Sequence, residues 1–397
     1  MRLLRLRLFD YRNFHRLDFS PGPGVSVLVG ANAQGKTNLW ESAYLLATMK
    51  ELRVETEAQI IRWQVVDDAI PVARVVGEAE TAGGGLKLEV AVVGRQGSNG
   101  LVATKTVKVN GVPKRLSDAV GRLTAVMFTA ADIDLITGAP SSRRRYIDIM
   151  LSQVDRGYVS ARSRLERVVA QRNHLLKRIR EGLAGKDELA FWDAELARDG
   201  GYLFAVRAVA LSELALLAAE AHASLAPTEE LRLEYRPRLE GRAPDSLSDA
   251  AAAAEAYGEA LRRGISRDVA AGMTLQGPHR DDIVFFLDGM PASGFASRAQ
   301  QRTIALALRL AEARLLHSRR SEPPLLLLDD ILSEMDAGRA RSVIEAVSGY
   351  DQLLVTATDV ERFPRQFLDR ADVFLVDAGA IASLSARAVA SRETTES

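Results

Sequence analysis

Residues 30–37 read Gly-Ala-Asn-Ala-Gln-Gly-Lys-Thr, which is the pattern of a phosphate-binding loop. The preceding stretch Val25–Val29 alternates around β-branched residues and predicts a buried strand, while Asn38–Lys50 has apolar residues at helical spacing. The loop is therefore expected to join the end of a strand to the start of a helix, where consecutive backbone N–H groups can surround a phosphate. The simpler alternative is a chance match, which this strand–loop–helix context makes less credible.

The residue types in this loop suit nucleotide chemistry. Gly30 and Gly35 allow the backbone to curl tightly around an anion. Lys36 can reach the β- and γ-phosphates as a catalytic cation, and Thr37 can ligate Mg²⁺. We therefore predict that ATP and Mg²⁺ bind at a site formed by the loop and the residue after it, namely Gly30, Ala31, Asn32, Ala33, Gln34, Gly35, Lys36, Thr37 and Asn38.

A second, acidic strand is predicted late in the chain. Residues 323–330 read Pro-Pro-Leu-Leu-Leu-Leu-Asp-Asp, a proline-bounded apolar run that predicts a buried parallel strand with two carboxylates at its C-terminal end. Asp329 is predicted to hold Mg²⁺, and Asp330 to orient or deprotonate the attacking water. Taken alone, the pair would also suit the cap of a following helix. The next residues, Ile-Leu-Ser-Glu-Met-Asp ending at Asp336, have the form of the loop that crosses the dimer interface in ABC-type ATPases.

The third motif precedes a long helical pattern and reads Ser-Arg-Ala-Gln-Gln-Arg-Thr over residues 297–303. Ser297 with Gln300 three residues later is a capping box, so Ser297 is predicted to be the helix N-cap. One interpretation is simply a well-capped amphipathic helix. The other is an ABC signature motif, whose helix N-terminus would meet the γ-phosphate bound on another subunit through Ser297, Arg298, Ala299, Gln300 and Gln301.

In their order along the chain, which is phosphate-binding loop, signature motif and acidic strand, the three motifs resemble those of the RecF family, the SMC-like ABC-type ATPases of bacterial recombinational repair. The similarity runs from the first strand to about residue 380 and includes further blocks: Tyr11-Arg12-Asn13-Phe14, residues 138–148 (Gly-Ala-Pro-Ser-Ser-Arg-Arg-Arg-Tyr-Ile-Asp), residues 277–282 (Gly-Pro-His-Arg-Asp-Asp) and residues 356–359 (Thr-Ala-Thr-Asp). Three departures stand out. Ala299 replaces the usual Gly, Ala130-Ala131-Asp132 replaces Pro-Glu-Asp, and no histidine follows His317.

The resemblance implies an α/β fold, an ABC-type ATPase head with a mixed sheet and an inserted, mainly helical arm. It places the switch at Thr358 and Asp359. It also implies an ATP-driven homodimer that grips duplex DNA near single-strand gaps, is released by slow, DNA-stimulated ATP hydrolysis, and assists RecA loading with RecR and RecO. DNA binding, repair and replication are thus expected from the family.

The formal net charge is zero, with 52 basic and 52 acidic residues, so DNA binding requires a local patch. Residues 141–180 contain eleven basic and three acidic residues, a local excess of plus eight. We expect Arg143, Arg144 and Arg145 in this patch to contact DNA. The alternative is a solvated helix face in an arginine-rich sequence, or arginines that pair internally with carboxylates.

The chain has no cysteine, which fits a reducing compartment and a cytoplasmic location. No run in the sequence approaches about 18 uncharged apolar residues, so no segment is expected to span a membrane. The patterns divide the chain into an N-terminal half of the ATPase head (1–140), a helical arm (141–272), a C-terminal half of the head (273–386) and a disordered tail (387–397). Period-two hydrophobicity over 66–112 predicts antiparallel hairpins. Heptad spacing of apolar residues after 141 predicts a helical hairpin, and Arg172 breaks this apolar spacing.

Two other functions fit parts of the pattern. An ABC-type ATPase fused to a nuclease would need a further acidic domain, but only 61 residues follow Asp336. A nonhydrolysing, nucleotide-dependent scaffold of the SMC-like class is the remaining alternative. The paired aspartates disfavour it, whereas Ala299 favours it.

Overall fold

The computed structural model describes residues 1–51, 56–97, 100–331 and 337–384. The strands are β1 (Arg2–Tyr11), β2 (Phe14–Phe19), β3 (Gly24–Val29), β4 (Val72–Thr81), β5 (Gly84–Gly97), β6 (Gly100–Val109), β7 (Val112–Lys114), β8 (Ala125–Thr129), β9 (Leu231–Arg236), β10 (Asp282–Leu287), β11 (Met290–Pro291), β12 (Leu325–Asp329), β13 (Gln352–Ala357), β14 (Ala371–Asp377) and β15 (Ala380–Ser383). The α-helices are α1 (Lys36–Thr48), α2 (Leu116–Ala119), α3 (Asp134–Thr137), α4 (Pro140–Ser152), α5 (Arg156–Arg180), α6 (Leu189–Leu225), α7 (Ala250–Ala271), α8 (Ala292–Phe295), α9 (Arg298–Arg320), α10 (Ala337–Val347) and α11 (Arg365–Leu368).

The chain forms two compact units. The first consists of Met1–Ala131 together with the segment from Glu312 onward, and the second is Asp132–Ala311. The segment 141–272 that was predicted as the helical arm lies within the second unit. The remaining boundaries drawn from sequence stay predictions, and the tail 387–397 is outside the described residues.

The first unit is built on a mixed sheet in the order β15-β14-β3-β13-β12-β8. β15 is antiparallel to β14, and the other neighbours are parallel. Leu325–Leu328 of β12 are fully buried, as a strand covered on both faces requires. β13 lies between β3, which leads into the phosphate-binding loop, and the acidic strand β12. The predictions of a mixed α/β sheet and of its two motif-bearing strands are therefore confirmed.

A second sheet in this unit is antiparallel, in the order β2-β1-β4-β5-β6-β7. It confirms the hairpins predicted from the period-two pattern over 66–112. Its inward residues alternate along β5, where Leu86, Leu88, Val90 and Val92 are buried. The glycine at position 94 does not interrupt β5, which continues to Gly97.

The second unit contains the predicted helical hairpin, formed by α5 and α6, with α7 packed against α6. Gly201 permits close packing of these last two helices, because a Cβ there would collide with the backbone of Ala254. Arg172, the residue that breaks the apolar heptad pattern of α5, lies inside the packed helices. It is fully buried and donates to Asp193 on α6 (2.7 Å) and Asp268 on α7 (2.7 Å), so it ties the three helices together.

One helical segment, Lys186–Leu225, is long and apolar enough to cross a membrane by length and composition alone. Half of its most apolar window is buried inside the structure. Within the segment, Arg207 is buried and pairs with Asp148 (2.8 Å) and Asp281 (2.8 Å) of the same unit. Lipid would offer the Arg207 charge no such partners, and burying an unpaired charge is costly. The ion pairs are therefore those of a helix in a protein core.

Candidate nucleotide site and signature helix

The phosphate-binding loop has the backbone that its glycines predict. Gly30 and Gly35 both have positive φ, 154° and 107°, and α1 begins at Lys36 directly after the second glycine. Asn13, in the turn between β1 and β2, donates from Nδ2 to the carbonyl of Gln34 (3.0 Å) and accepts from Asn38 (2.8 Å). A Cβ on Gly35 would collide with this Asn13 amide. Gly35 is therefore needed both for its φ and for the brace that Asn13 provides.

The Lys36 side chain folds back over the loop. Its Nζ donates to the carbonyls of Gly30 (2.6 Å) and Ala31 (2.9 Å), and the residue is only 7% exposed. Burial lowers the pKa of the Lys36 ammonium below its usual value, and the nearby carboxylates of Asp330 and Asp329 oppose this effect. The loop thus holds a partly desolvated cation where phosphate oxygens can replace its carbonyl partners.

A hydrogen-bonded cluster joins the loop to the two central strands. Thr37 Oγ1 donates to both carboxylate oxygens of Asp329, at 2.7 Å and 2.9 Å. Thr356, near the end of β13, donates from Oγ1 to Asp329 Oδ1 (3.0 Å). Asp329 is 4% exposed and lies at the C-terminal end of β12. The carboxyl ends of β3, β12 and β13 therefore converge on one buried carboxylate.

Asp330 adopts an unusual backbone conformation for a residue with a side chain. Its φ is 52°, and its backbone N–H donates to Thr356 Oγ1 (2.8 Å). A left-handed non-glycine residue stores strain of about 1–3 kcal/mol and occurs often at functional sites. The Thr356 hydroxyl thus links the two aspartates, donating to one and accepting from the other.

The oxygen donors at this point fit a magnesium ion. Among the residues that the structure describes, no group of three or more acidic, histidine or cysteine side chains could hold a metal. A hydroxyl beside a single carboxylate is a partial set of hard oxygen ligands. Mg²⁺ suits such a set because it is usually held by one or two carboxylates and takes its other ligands from water and substrate phosphates.

The other residues predicted near this site are placed as follows. Thr358 and Asp359 follow β13 and are exposed, and Asp359 caps the short helix Val360–Arg362 by accepting from the N–H of Glu361 (3.1 Å). Asp336, the predicted dimer-loop residue, lies outside the described residues. Within the loop itself, Gln34 Oε1 accepts from the N–H of Ala378 in the turn between β14 and β15 (2.6 Å).

The signature motif lies in the second unit, at the start of α9. The Ser297 N–H donates to Gln300 Oε1 (2.8 Å), and the Gln300 N–H donates to Ser297 Oγ (3.3 Å). This is the predicted capping box, and it makes Ser297 the residue before the first helical residue, Arg298. Ala299 then occupies the second helical position without a positive φ, so alanine is accommodated there without backbone strain. Gln301 is buried and donates to the carbonyl of Ala296 (3.0 Å).

The three consecutive arginines of α4 have different surroundings. Arg143 is buried and makes a two-pronged ion pair with Asp282, at 2.6 Å and 3.0 Å. The Arg143 guanidinium is committed to this internal carboxylate and to the carbonyl of Gly138 (2.8 Å), which favours the alternative that this arginine pairs internally; its contact with DNA stays a prediction. Arg144 donates to the carbonyl of Asp281 (2.9 Å), and Arg145 is exposed. DNA contact by these two residues stays a prediction.

The block Gly277–Asp282, to which the sequence assigned no role, is a structural junction. Asp281 is fully buried and accepts from Arg207 (2.8 Å), from the Tyr235 hydroxyl (2.6 Å) and from the backbone N–H of Arg238 (2.7 Å). Gly277 has a φ of 129°, and a Cβ there would collide with the Tyr257 hydroxyl. The block therefore joins α6, α7 and β9 within the second unit.

Sequence reasoning assigned no role to two residues that shape the nucleotide site, Asn13 and Thr356. Both belong to blocks of the family resemblance, which was the available signal. Their partners are far away in sequence, 21 and 27 residues from Gln34 and Asp329 respectively. The register of β12 and β13 sets Thr356 beside Asp329, whereas Asn13 reaches the loop from a turn of the antiparallel sheet.

Comparisons with known proteins agree with this architecture. The sequence matches a profile described as the RecF/RecN/SMC N terminal domain over residues 2–376. A relative from Roseiflexus castenholzii, called DNA replication and repair protein RecF, is 40% identical, and the alignment covers 96% of this chain and 99% of the relative. A relative of the same description from Chloroflexus aurantiacus is 39% identical, with coverage of 95% and 98%.

Solved structures give the same result. One, described as the recombination mediator protein RecF-ATP in the RecFOR pathway, has a TM-score of 0.83 at 26% identity and covers 97% of this chain and 98% of that chain. An Smc head domain from Pyrococcus yayanosii has a TM-score of 0.54 at 13% identity, with coverage of 98% of both chains, which relates the fold alone. The chain therefore belongs to the RecF family, within the RecF/RecN/SMC N-terminal domain proteins, and has the fold of an ABC-type ATPase head.

Proposed function

We propose that this chain is an ATP-dependent DNA-binding ATPase of recombinational repair, in which ATP binding joins two copies and slow hydrolysis releases them. The observation that carries the proposal is the cluster of Thr37, Asp329 and Thr356, with hydroxyl–carboxylate distances of 2.7–3.0 Å beside the desolvated Lys36. A site for a nucleoside triphosphate with Mg²⁺ needs a cation, hard oxygen ligands and a phosphate-binding loop at the carboxyl ends of parallel strands. Lys36, the pair Thr37 and Asp329, and the glycine loop before them meet these needs.

In this scheme each residue has one task. Lys36 leaves the carbonyls of Gly30 and Ala31 and neutralises phosphate oxygens of the nucleotide. Thr37 and Asp329 hold Mg²⁺, which when bound neutralises charge that develops on the phosphate oxygens. Asp330 orients the attacking water or accepts its proton, and Thr356 fixes the direction of Asp330 through its hydrogen bond to the backbone N–H.

The proposed dimer completes each site with the signature helix of a second copy. The capped N-terminus of α9 carries partial positive charge and exposes Ser297, which suits it to meet an anion. Arg298, Ala299 and Gln300 form the rest of this surface, and the buried Gln301 supports it from below through its hydrogen bond to the carbonyl of Ala296. Asp336 is proposed to contact the partner from the dimer loop. ATP that binds the closed dimer stabilises it by mass action.

The DNA and protein partners are proposed from family membership. Duplex DNA next to a single-strand gap is the proposed substrate, held in part by the exposed Arg145. RecR, and through it RecO and RecA, are the proposed protein partners, consistent with the RecFOR pathway named for the solved RecF-ATP structure. Switch residues Thr358 and Asp359 are proposed to sense the nucleotide, and the protein is proposed to act in the cytoplasm without a membrane partner.

A nonhydrolysing scaffold is the second candidate, and Ala299 is the observation that favours it. Its methyl group lies in the first turn of α9, where a phosphate would approach the helix end. Single-turnover ATP hydrolysis with and without gapped DNA separates the two candidates. The ATPase proposal predicts slow turnover that rises with DNA, whereas the scaffold binds ATP and returns it unchanged.

Complementation between two variants tests the shared site directly. Lys36→Arg disables the phosphate-binding loop, because a guanidinium cannot place a compact charge between phosphates. Ser297→Arg disables the signature surface. Each variant alone is expected to be inactive, and mixing them restores part of the wild-type turnover, since a mixed dimer contains one site with both parts intact. A mixture as inactive as its components would contradict a site built from two copies.

A further inference from the structure

The first turn of α9 is linked by hydrogen bonds to the end of the long arm helix α6. Gln300 Oε1 accepts from the Ser297 N–H (2.8 Å), while Gln300 Nε2 donates to Glu229 Oε1 (3.1 Å). The other oxygen of Glu229 lies 3.1 Å from Nε2 of His222. His222 is in the last turn of α6. A single carboxylate therefore joins the end of one helix to the start of another.

The position of Glu229 is set from both sides. Two successive turns follow α6, in which the Ala226 N–H donates to His222 O (2.8 Å) and the Glu229 N–H donates to Ala226 O (3.1 Å). The backbone N–H of the next residue, Glu230, donates to Asp288 Oδ1 (2.8 Å), and the Glu230 carbonyl accepts from the Asp288 N–H (2.9 Å). The Glu229 side chain is 18% exposed and His222 is fully buried. Hydrogen bonds shielded in this way are stronger than those in water.

The residue type at position 300 fits this second contact. A capping box accepts either Glu or Gln at the third helical position, because both can accept from the N-cap N–H. Only an amide can accept there and also donate to a carboxylate. A glutamate at position 300 would close the same cap but place two carboxylates against each other.

We propose that Glu229 is a positioning residue that holds the first turn of α9 in register with the end of α6. The inference rests on the proposed function, in which that turn meets the nucleotide bound by a second copy. Glu229 itself contacts no nucleotide in this scheme.

The first test compares Glu229→Ala with Glu230→Ala. Both remove one carboxylate of the same size and charge, but Glu230 contacts Asp288 through its backbone, which the substitution retains. Sedimentation velocity gives the dimer dissociation constant at saturating ATP, and calorimetry gives the ATP affinity of the monomer. Glu229→Ala is expected to weaken the dimer roughly tenfold, the effect of losing a hydrogen bond to a charged group. The monomer's ATP affinity stays unchanged, and Glu230→Ala behaves as the wild type.

The second test is a rescue. Gln300→Glu should weaken the ATP-dependent dimer by repulsion, and adding Glu229→Gln should recover most of it, because the amide introduced at 229 can donate to the carboxylate introduced at 300. Melting temperatures of the same samples report whether each variant is folded. A Glu229→Ala dimer as tight as wild type, or a double variant no better than Gln300→Glu, overturns the positioning role. A wild-type chain that stays monomeric with ATP instead overturns the proposed function itself.

Discussion

Replacing Arg143 by Met tests whether the arginine block of α4 serves the fold or the DNA. The guanidinium donates twice to Asp282 and once to the carbonyl of Gly138 at 2.8 Å, and its side chain is 11% exposed against 26% for Asp282. Removing one partner of this two-pronged pair leaves the Asp282 carboxylate without its opposite charge, with only the Ile283 N–H (2.9 Å) among the described residues still donating to it, and takes a donor from the carbonyl of Gly138. Because Asp282 stays partly exposed to solvent, we expect the free energy of unfolding to fall by about 3 kcal/mol, the lower end of the range for breaking such pairs.

In the Asp132–Ala311 unit, that loss corresponds to a melting temperature lower by about 6–12 °C. The assay is calorimetric melting of Arg143→Met beside Arg145→Met, with the salt dependence of duplex DNA binding measured on the same preparations. Arg145 is exposed, so its replacement should cost less stability than that of the buried Arg143. A second control is Arg143→Met with Asp282→Leu, which removes the orphaned carboxylate and should regain part of the loss. An Arg143→Met protein with unchanged melting but a flatter salt slope would refute the structural role and return Arg143 to the DNA surface.

Three further outcomes follow from the site and its surroundings. Lys36→Arg should retain some nucleotide binding but abolish steady-state ATP turnover; turnover within about twofold of wild type would remove the loop from the catalytic site. Thr356→Val keeps the shape but removes the hydroxyl between Asp329 and Asp330, so turnover should fall about 10- to 100-fold at temperatures where melting shows the variant to be folded; unaffected turnover would show that the bridge is dispensable. Burial raises the pKa of Glu51 to about 7 from 4.5, against the opposing charges of Lys105 and Arg12. A raised pKa means that the folded state takes up a proton, so the stability from this group is present below its unfolded pKa and is lost as pH rises through about 7. Glu51→Gln mimics the neutral form and should be more stable than wild type at pH 8, by up to roughly 3 kcal/mol in urea unfolding, with a smaller difference at pH 5; a difference that does not grow with pH would contradict the protonated state.

The parts of the fold that sequence predicted well are those encoded locally. The spacing of glycine and lysine predicts the phosphate-binding loop, and a continuous run of four leucines predicts β12. Two residues three apart, Ser297 and Gln300, predict the cap of α9. The order of strands is less local. That β13 lies between β3 and β12 depends on pairing across the whole mixed sheet, although the need for both motifs to share one sheet was foreseeable.

The parts that sequence did not predict depend on long-range pairing. A charge count over 141–180 cannot distinguish Arg143, which meets Asp282 across 139 residues, from Arg145, which is exposed. The heptad pattern marked Arg172 as an interruption because it ignores carboxylates on other helices, whereas Asp193 and Asp268 make the arginine part of the core. Thr356 acquires its role only when β12 and β13 pair, and Asn13 only when a turn of the antiparallel sheet meets the phosphate-binding loop.

The central claim is that ATP closes two copies of the chain over shared nucleotide sites. The most direct measurement is sedimentation velocity of Asp330→Asn, a variant expected to bind ATP without hydrolysing it. It should be dimeric with ATP and Mg²⁺ and monomeric with ADP, and the dimer should disappear when Ser297→Arg is added. A variant that remains monomeric at saturating ATP, while calorimetry shows the nucleotide bound, would contradict the account.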